Sequence, residues 1–373
     1  MKRILHISKY YFPFRGGTEV VAQDIAEGLT DFENKVLAFN HEKGNRKDYV
    51  NDIKVIRVNC FAKIASQSLS LRYYPILKRI IKGWQPDAIH FHHPNLFVAS
   101  FLNLLLPKKT KLIVHWHLDI VKQKYLYMLL KGVEKRLLRR ADVIIVTSNE
   151  YAESSKPLTP FMDKVKVIYN GIQTGRLEIQ DGDLEKIARI KSRYDNRNII
   201  FFIGRHVPYK GLDYLLDAEK HVRQECVFVI AGKGPMTDEL KVKTDSSRVF
   251  FVDRLSEDDL RCYLHAADIF AFPSITKNEA FGLALAEGMY SLCAPVTFTI
   301  EGSGVNEVSL NGVTGIEVEN RNAEKFAEAL DTLLSDTELR LKYARAAKER
   351  VEQYFTVEQE QSQFTQLYKE LLK

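Results

Sequence analysis

Short apolar runs of β-forming residues alternate with stretches of helical spacing along the whole chain, which leaves few folds open. Residues 3–8, 35–39, 53–58, 87–93, 111–117, 141–148 and 164–172 read as strands, and after a gap residues 198–204, 227–231, 249–252 and 268–274 repeat the pattern. Runs of helical periodicity separate them, such as 18–29 and 212–218, and Ser256-Glu-Asp-Asp259 opens another with a helix cap. Strand and helix in alternation are the mark of βαβ units on a parallel sheet. A chain of 373 residues exceeds what one core normally supports. The turn signal Asn170-Gly171 and the acidic, poorly apolar stretch Gln180-Asp-Gly-Asp-Leu-Glu185 mark the break. The expectation is an α/β protein of two doubly wound, Rossmann-like domains, residues 1–172 and 173–356, with ligand at the carboxyl ends of both sheets.

The most informative chemistry follows the strand at 268–274, in Asn278-Glu-Ala-Phe-Gly-Leu-Ala-Leu-Ala-Glu-Gly288. Gly282 opens an apolar, helix-favouring run, so amides near 281–283 face outward at a helix start, where an anion is favoured. Glu287 lies roughly 7.5 Å further along that helix, at ~1.5 Å per residue, while Glu279 stays on the loop. Two carboxylates about a phosphate-sized gap suit a ligand with hydroxyls at both ends and a phosphate between, a nucleoside diphosphate sugar. The plain alternative is a loop glutamate and a solvated helix glutamate. A second loop, Gly204-Arg-His-Val-Pro-Tyr-Lys-Gly211, puts two cations between strand and helix, enough to clamp a diphosphate and stabilise a departing nucleotide. Gly16 and Gly17 stand at the first strand-to-helix turn, where backbone can approach a ligand closely.

Glu279 to Glu287 resembles the Glu-x7-Glu motif of the retaining glycosyltransferases of family 4, which have the GT-B fold, and the resemblance extends over essentially the whole chain. It implies that Glu279 meets the donor sugar, Glu287 the ribose, and the amides of Phe281, Gly282 and Leu283 the diphosphate. Gly204, Arg205 and Lys210 match the family's cationic loop, and Val227-Phe-Val-Ile-Ala-Gly-Lys-Gly-Pro235 resembles its Gly-x-Gly-Pro turn near the nucleoside, giving Gly232 and Gly234. Gly16-Gly17 matches the loop that nears donor phosphate and acceptor. Ser303-Gly-Val-Asn-Glu307 and Asn311-Gly-Val-Thr-Gly315 also resemble the family, whereas Met289-Tyr-Ser-Leu-Cys-Ala-Pro295 departs from its small glycine-containing turn. His117, with His115 as the fallback, is the best match for the histidine that faces the donor sugar, so Glu279, His117, Arg205 and Lys210 are the catalytic candidates. The family further implies a first domain for the acceptor, a second for the nucleotide sugar, and a last helix, 357–373, that crosses back to the first. Retaining transfer from a UDP- or GDP-sugar to a hydroxyl of a saccharide or lipid-linked acceptor follows, with no cofactor and no metal. Two alternatives share parts of this pattern: a GT-B sugar-nucleotide epimerase and a non-catalytic two-domain binding protein.

His92, His93, His115 and His117 fall where two strands end, but no helical pair or carboxylate of ligand spacing accompanies them, so no metal is expected. Asp181-Gly-Asp183 has the look of a metal-binding Asp-x-Asp but follows no strand end, and helix N-capping is the expectation. Residues 1–170 carry 28 Lys and Arg against 15 Asp and Glu, while the whole chain is only +6, so the basic side is the amino-terminal half. Its cations interleave with aromatic and aliphatic residues at 71–84 and at 122–140, where Lys122, Lys124, Tyr125, Leu126, Tyr127 and Leu129 lie. Such stretches suit an anionic membrane surface or are ordinary half-solvated helices. Nucleic acid is not expected, since no binding motif accompanies the charge. Four scattered cysteines, no signal-peptide pattern and no long apolar span point to a cytoplasmic protein, peripheral at most on the inner membrane face.

Overall fold

Nearly every apolar run becomes a strand in the computed structural model, which describes residues 1–14, 16–64, 67–120 and 124–373, the side chains of 63, 64, 67 and 124–129 excepted. The chain runs β1 (Arg3–Ile7), α1 (Gly17–Gly28), β2 (Glu33–Phe39), β3 (Arg46–Val50), β4 (Ile53–Val58), the short pair β5 (Ala62–Ile64) and β6 (Gln67–Leu69), and α2 (Tyr73–Trp84). It continues with β7 (Ala88–His93), α3 (Leu96–Leu105), β8 (Lys111–Trp116), α4 (Lys124–Arg140), β9 (Val143–Val146), α5 (Asn149–Ser154) and β10 (Val165–Val167). A second series holds α6 (Asp183–Arg193), β11 (Asn198–Ile203), α7 (Leu212–Glu219), β12 (Cys226–Ala231), α8 (Thr237–Lys243), β13 (Val249–Val252), α9 (Glu257–Ala266) and β14 (Ile269–Phe272). After these come α10 (Leu283–Tyr290), β15 (Ala294–Phe298), α11 (Val305–Val308), β16 (Ile316–Val318), α12 (Ala323–Ser335), α13 (Thr337–Tyr354) and α14 (Val357–Leu371).

Two compact units result, one of Met1–Asn170 with Val357–Lys373 and one of Gly171–Thr356. The first has an eight-stranded sheet in the order β10-β9-β8-β7-β1-β2-β4-β3, parallel except for β3, which pairs antiparallel with β4 at the edge. The second has a six-stranded parallel sheet in the order β13-β12-β11-β14-β15-β16. Parallel strands are covered on both faces and therefore read as unbroken apolar runs; β7, β12 and β15 are buried along their full length. In both sheets the chain builds outward on one side, from β1 or β11, and then returns to the other side with β7 or β14. Each unit thus has a topological switch point, the place where doubly wound sheets take ligands.

Helix α14 belongs to the first unit, where Gln361 Nε2 donates to the Asp24 carbonyl at 2.7 Å and the Tyr368 hydroxyl meets His90 Nδ1 at 2.9 Å. Ser256 caps α9 as its sequence indicates, accepting from the Asp259 amide at 3.1 Å. At Asp181-Gly-Asp183 the helix start is present but the cap differs. Gly182 holds the cap position, and Asp183 is buried, bound to Arg261 Nε at 2.6 Å and Nη2 at 3.2 Å and to the Gln180 amide at 2.9 Å. The Arg261 guanidinium holds its carboxyl well below the usual range. The run at 164–172 is a strand only over Val165–Val167.

Candidate active site

The switch point of the second sheet lies between β11 and β14, and the two loops leaving those strands carry the cations and the first glutamate. Residues 204–211 follow β11; Lys210 is buried there, and its ammonium forms an ion pair with Glu279 on the loop after β14. Glu279 Oε2 also accepts from Ser274 Oγ at 3.2 Å. The Glu279 carbonyl accepts from the Ser303 hydroxyl, and the Gly304 amide donates to the Ala280 carbonyl at 3.0 Å, so residues 303 and 304 brace the backbone that carries Glu279. Lys210 Nζ lies 5.0 Å from the Phe272 ring centroid, which gives a desolvated cation a favourable π face. The Arg205 guanidinium, five residues away, is exposed. A charged pair taken out of water is stable only with close geometry and extra hydrogen bonds, and this one has both.

Gly282 caps α10 in the left-handed region, φ 94°, which only glycine adopts cheaply. The first helical bond runs from the Ala286 amide to the Gly282 carbonyl at 3.1 Å, so the amides of Gly282 and Leu283 precede the ladder at the positive end of the helix. The Phe281 side chain turns to the core, edge-on to Phe355 at 5.4 Å. Glu287, one turn on, is buried; burial raises its carboxyl pKa, and the charge of Arg176 opposes that rise. Arg176, in the single turn Thr174–Leu177, forms an ion pair with Glu287. The sequence reading missed Arg176, whose place in the chain carries no periodic signal. In the loop after β12, Gly232 has φ 116°, and a Cβ there would collide with the Gly204 carbonyl. Thr237 Oγ1 latches the turn, accepting from the Gly234 amide at 2.8 Å and meeting His206 Nδ1 at 3.0 Å. Gly204, Lys210, Gly232, Gly234, Glu279 and Gly282 therefore surround one strand end, while Glu287 sits deeper, beside Arg176.

The remaining candidates belong to the first unit. Gly17 is the first residue of α1 and Gly16 its extended N-cap, with Glu19 buried in the first turn. His117, just beyond β8, is buried, and desolvation lowers its pKa to about 3, so its imidazole is neutral. Its Nε2 lies 2.9 Å from His92 Nδ1. His115 bonds His90 instead, Nδ1 to Nε2 at 3.2 Å, and His93 turns to the other face, stacked on Trp116 at 3.8 Å and bonded to Glu134 at 3.1 Å. His92, His115 and His117 are thus packed together, joined by His6 and His90. Elsewhere in this unit Arg46, Lys47, Arg72 and Arg79 rim a groove of about 680 Å³ with Ile76 and Ile80 on its wall. The second basic stretch lies partly outside the described residues, at 121–123 and in the side chains of 124–129.

Two doubly wound units, one with a cation–carboxylate pair at its switch point beside a glycine-capped helix, are the architecture of the GT-B class. Two family models match in succession, Glycosyltransferase Family 4 over residues 15–176 and Glycosyl transferases group 1 over 183–350, and together they make the chain a family 4-like glycosyltransferase. Over 100% of its length it is 29% identical to the O-antigen chain mannosyltransferase C of Escherichia coli, covering 99% of that protein. It is 27% identical to the D-rhamnosyltransferase WbpZ of Pseudomonas aeruginosa, with 95% and 92% of the two chains covered. Among solved structures, HepE of Anabaena in complex with UDP and glucose superposes with a TM-score of 0.80 at 19% identity, over 99% of this chain and 100% of that one. The sucrose-phosphate synthase of Thermosynechococcus elongatus also gives 0.80, at 18% identity, over 100% and 99%. At such identities these two likenesses establish the fold.

Proposed function

We propose that the protein transfers a hexosyl group, with retention of anomeric configuration and without a metal ion, from a UDP- or GDP-sugar to a hydroxyl of a saccharide or lipid-linked acceptor. The observation that carries this reading is the Lys210–Glu279 pair at the carboxyl ends of β11 and β14. Before donor arrives the two charges compensate each other; a diphosphate then takes Lys210 and Arg205, which frees Glu279 for sugar hydroxyls. Both cations stabilise charge as the bond between the anomeric carbon and the diphosphate oxygen breaks. The acceptor oxygen bonds to that carbon from the same face and passes its proton to the departing diphosphate. The amides of Phe281, Gly282 and Leu283 meet the diphosphate, Gly204, Gly232 and Gly234 let backbone approach the nucleotide, and Glu287 holds ribose. His117, neutral, hydrogen-bonds the donor sugar, and Gly16-Gly17 lies along the phosphate and acceptor path. With two fixed cations on the diphosphate, no divalent ion is needed.

The setting proposed is assembly of cell-surface polysaccharide such as lipopolysaccharide on the cytoplasmic membrane face, in line with the name of the O-antigen chain mannosyltransferase. The cation-rimmed groove of the first unit supports peripheral attachment, and no helix among the described residues is long and apolar enough to cross a membrane. The test is nucleotide release from UDP-, GDP- and dTDP-sugars in EDTA, with acceptor, followed by determination of the product's anomeric configuration. Transfer with retention in EDTA is expected. Activity abolished by EDTA and restored by manganese, or an inverted product, contradicts the mechanism, and turnover of the sugar nucleotide without acceptor would favour the epimerase.

A further inference from the structure

His90-x-His92 on β7 and His115-x-His117 at the end of β8 are two pairs at the strand period of two, so each pair presents both imidazoles to one face of the sheet. The strands are parallel neighbours in the register His92 to His115, which sets the two pairs side by side. One nitrogen from each of His92, His115 and His117 lies within 4.8 Å of the others. All three residues are buried, and the Nε2 atoms of His92 and His115 have no hydrogen-bond partner. A buried polar atom without a partner costs roughly 1–3 kcal/mol, so a cluster with several needs an explanation.

We propose that His92, His115 and His117 form a binding site for one divalent transition-metal ion of the zinc class. Imidazole is the ligand such ions share, and three histidines leave a fourth position open to water or an anion. Of the two unpartnered atoms the ion would take His115 Nε2, with Nδ1 of His92 and Nε2 of His117, which are already 2.9 Å apart against the ~3.3 Å of two nitrogens on a tetrahedral zinc with bonds of about 2.0–2.1 Å. The ring centroids of His92 and His115 are 5.4 Å apart and those of His115 and His117 4.1 Å, and χ2, the torsion that aims each ring nitrogen, is soft for imidazole. The second layer is in place: His115 Nδ1 bonds His90 Nε2 at 3.2 Å and His90 Nδ1 bonds the Tyr368 hydroxyl at 2.9 Å, the kind of relay that fixes the tautomer of a ligating histidine. Burial keeps the imidazoles neutral, the form that ligates. An ion there would occupy His117 and compete with the contact to the donor sugar proposed for that residue. The site rests on no part of the transferase reading.

The experiment uses the full-length, tag-free protein stripped with EDTA and dialysed, titrated with zinc by calorimetry and with cobalt(II) by visible absorption. One zinc per chain with Kd below about 1 μM and a cobalt d–d band of tetrahedral type are expected, with affinity lowered more than tenfold in His92→Gln and His115→Gln and unchanged in the exposed control His221→Gln. Circular dichroism checks that each variant is folded; if one is not, the other variant and the wild-type cobalt spectrum decide. No saturable binding, no cobalt band, or an affinity that the histidine variants leave unchanged overturns the proposal.

Discussion

Arg176 makes Glu287 what it is: burial alone raises that carboxyl's pKa, and the guanidinium beside it supplies the opposing charge. Removing the partner of a buried charge costs more than the pair contributes, because the remaining charge is left uncompensated. Arg176→Ala is expected to destabilise the protein by about 3 kcal/mol or more in urea denaturation, the cost of leaving a buried charge uncompensated; an unchanged midpoint would mean that Glu287 is held by other groups. Lys210→Ala and Arg205→Ala should each lower turnover about 100-fold or more, since loss of one donor at a developing charge costs ~3 kcal/mol. Turnover within a few-fold of wild type would remove the clamp from the mechanism. Glu279, Lys210 and Gly282 were legible in the sequence because each stands at a fixed offset from an apolar strand or helix. Arg176 was not, since a contact 111 residues apart leaves no local pattern, and nothing in the chain announced that Lys210 would pair with Glu279 itself.

The strands that carry the histidines give the first unit a pH dependence. Burial lowers His6 to about 4 and His117 to about 3, and His90, His92 and His115 go well below their ordinary value. Unfolded imidazoles titrate near 6.5, so below that pH the unfolded chain binds protons the folded one refuses. The stability is whole above about pH 6.5 and lost as pH falls through 6 and 5, by about 2 kcal/mol at pH 5 for each of His6 and His117. The urea midpoint is expected to drop steeply between pH 7.5 and 5, and a flat profile would show that the cluster is hydrated and titrates normally. At the end of α10, Leu292 has φ 64° in the segment that departs from the family's glycine-containing turn. The left-handed penalty, roughly 1–2 kcal/mol, exceeds glycine's entropic cost of about 0.5–1 kcal/mol, so Leu292→Gly should raise the melting temperature, and a lower one would show that the side chain packs productively. The strands at 53–58 and 249–252 were legible to the residue, whereas the run at 164–172 is a strand only over Val165–Val167 and the apolar helix Leu96–Leu105 was not read at all. Strand β3 was not, because Arg46-Lys-Asp-Tyr-Val50 is an edge strand whose alternation is drowned by exposed charge. The histidine cluster was hidden as well, because its members come from three strands whose order the sequence does not state.

The whole chain divides its charge as it divides its fold, positive in the unit that holds the cation-rimmed groove and negative in the rest. The protein should sediment with anionic liposomes and release as salt rises, since screening shortens from about 10 Å at 0.1 M to about 3 Å at 1 M. Arg72→Glu with Arg79→Glu should abolish sedimentation at low salt; binding indifferent to both salt and these changes would leave the basic surface without that role. The two-unit plan was legible because the strand pattern stops near residue 170 and restarts at 198. The central claim is that Glu279 and Glu287 hold different ends of one nucleotide sugar, and calorimetry of UDP and GDP with the full-length protein tests it most directly. Glu287→Gln is expected to weaken nucleoside diphosphate about tenfold to a hundredfold, the equivalent of a charged hydrogen bond of roughly 1.5–3 kcal/mol, while Glu279→Gln binds it nearly as before yet transfers sugar poorly. Nucleotide affinity and transfer unchanged in both variants would contradict the account.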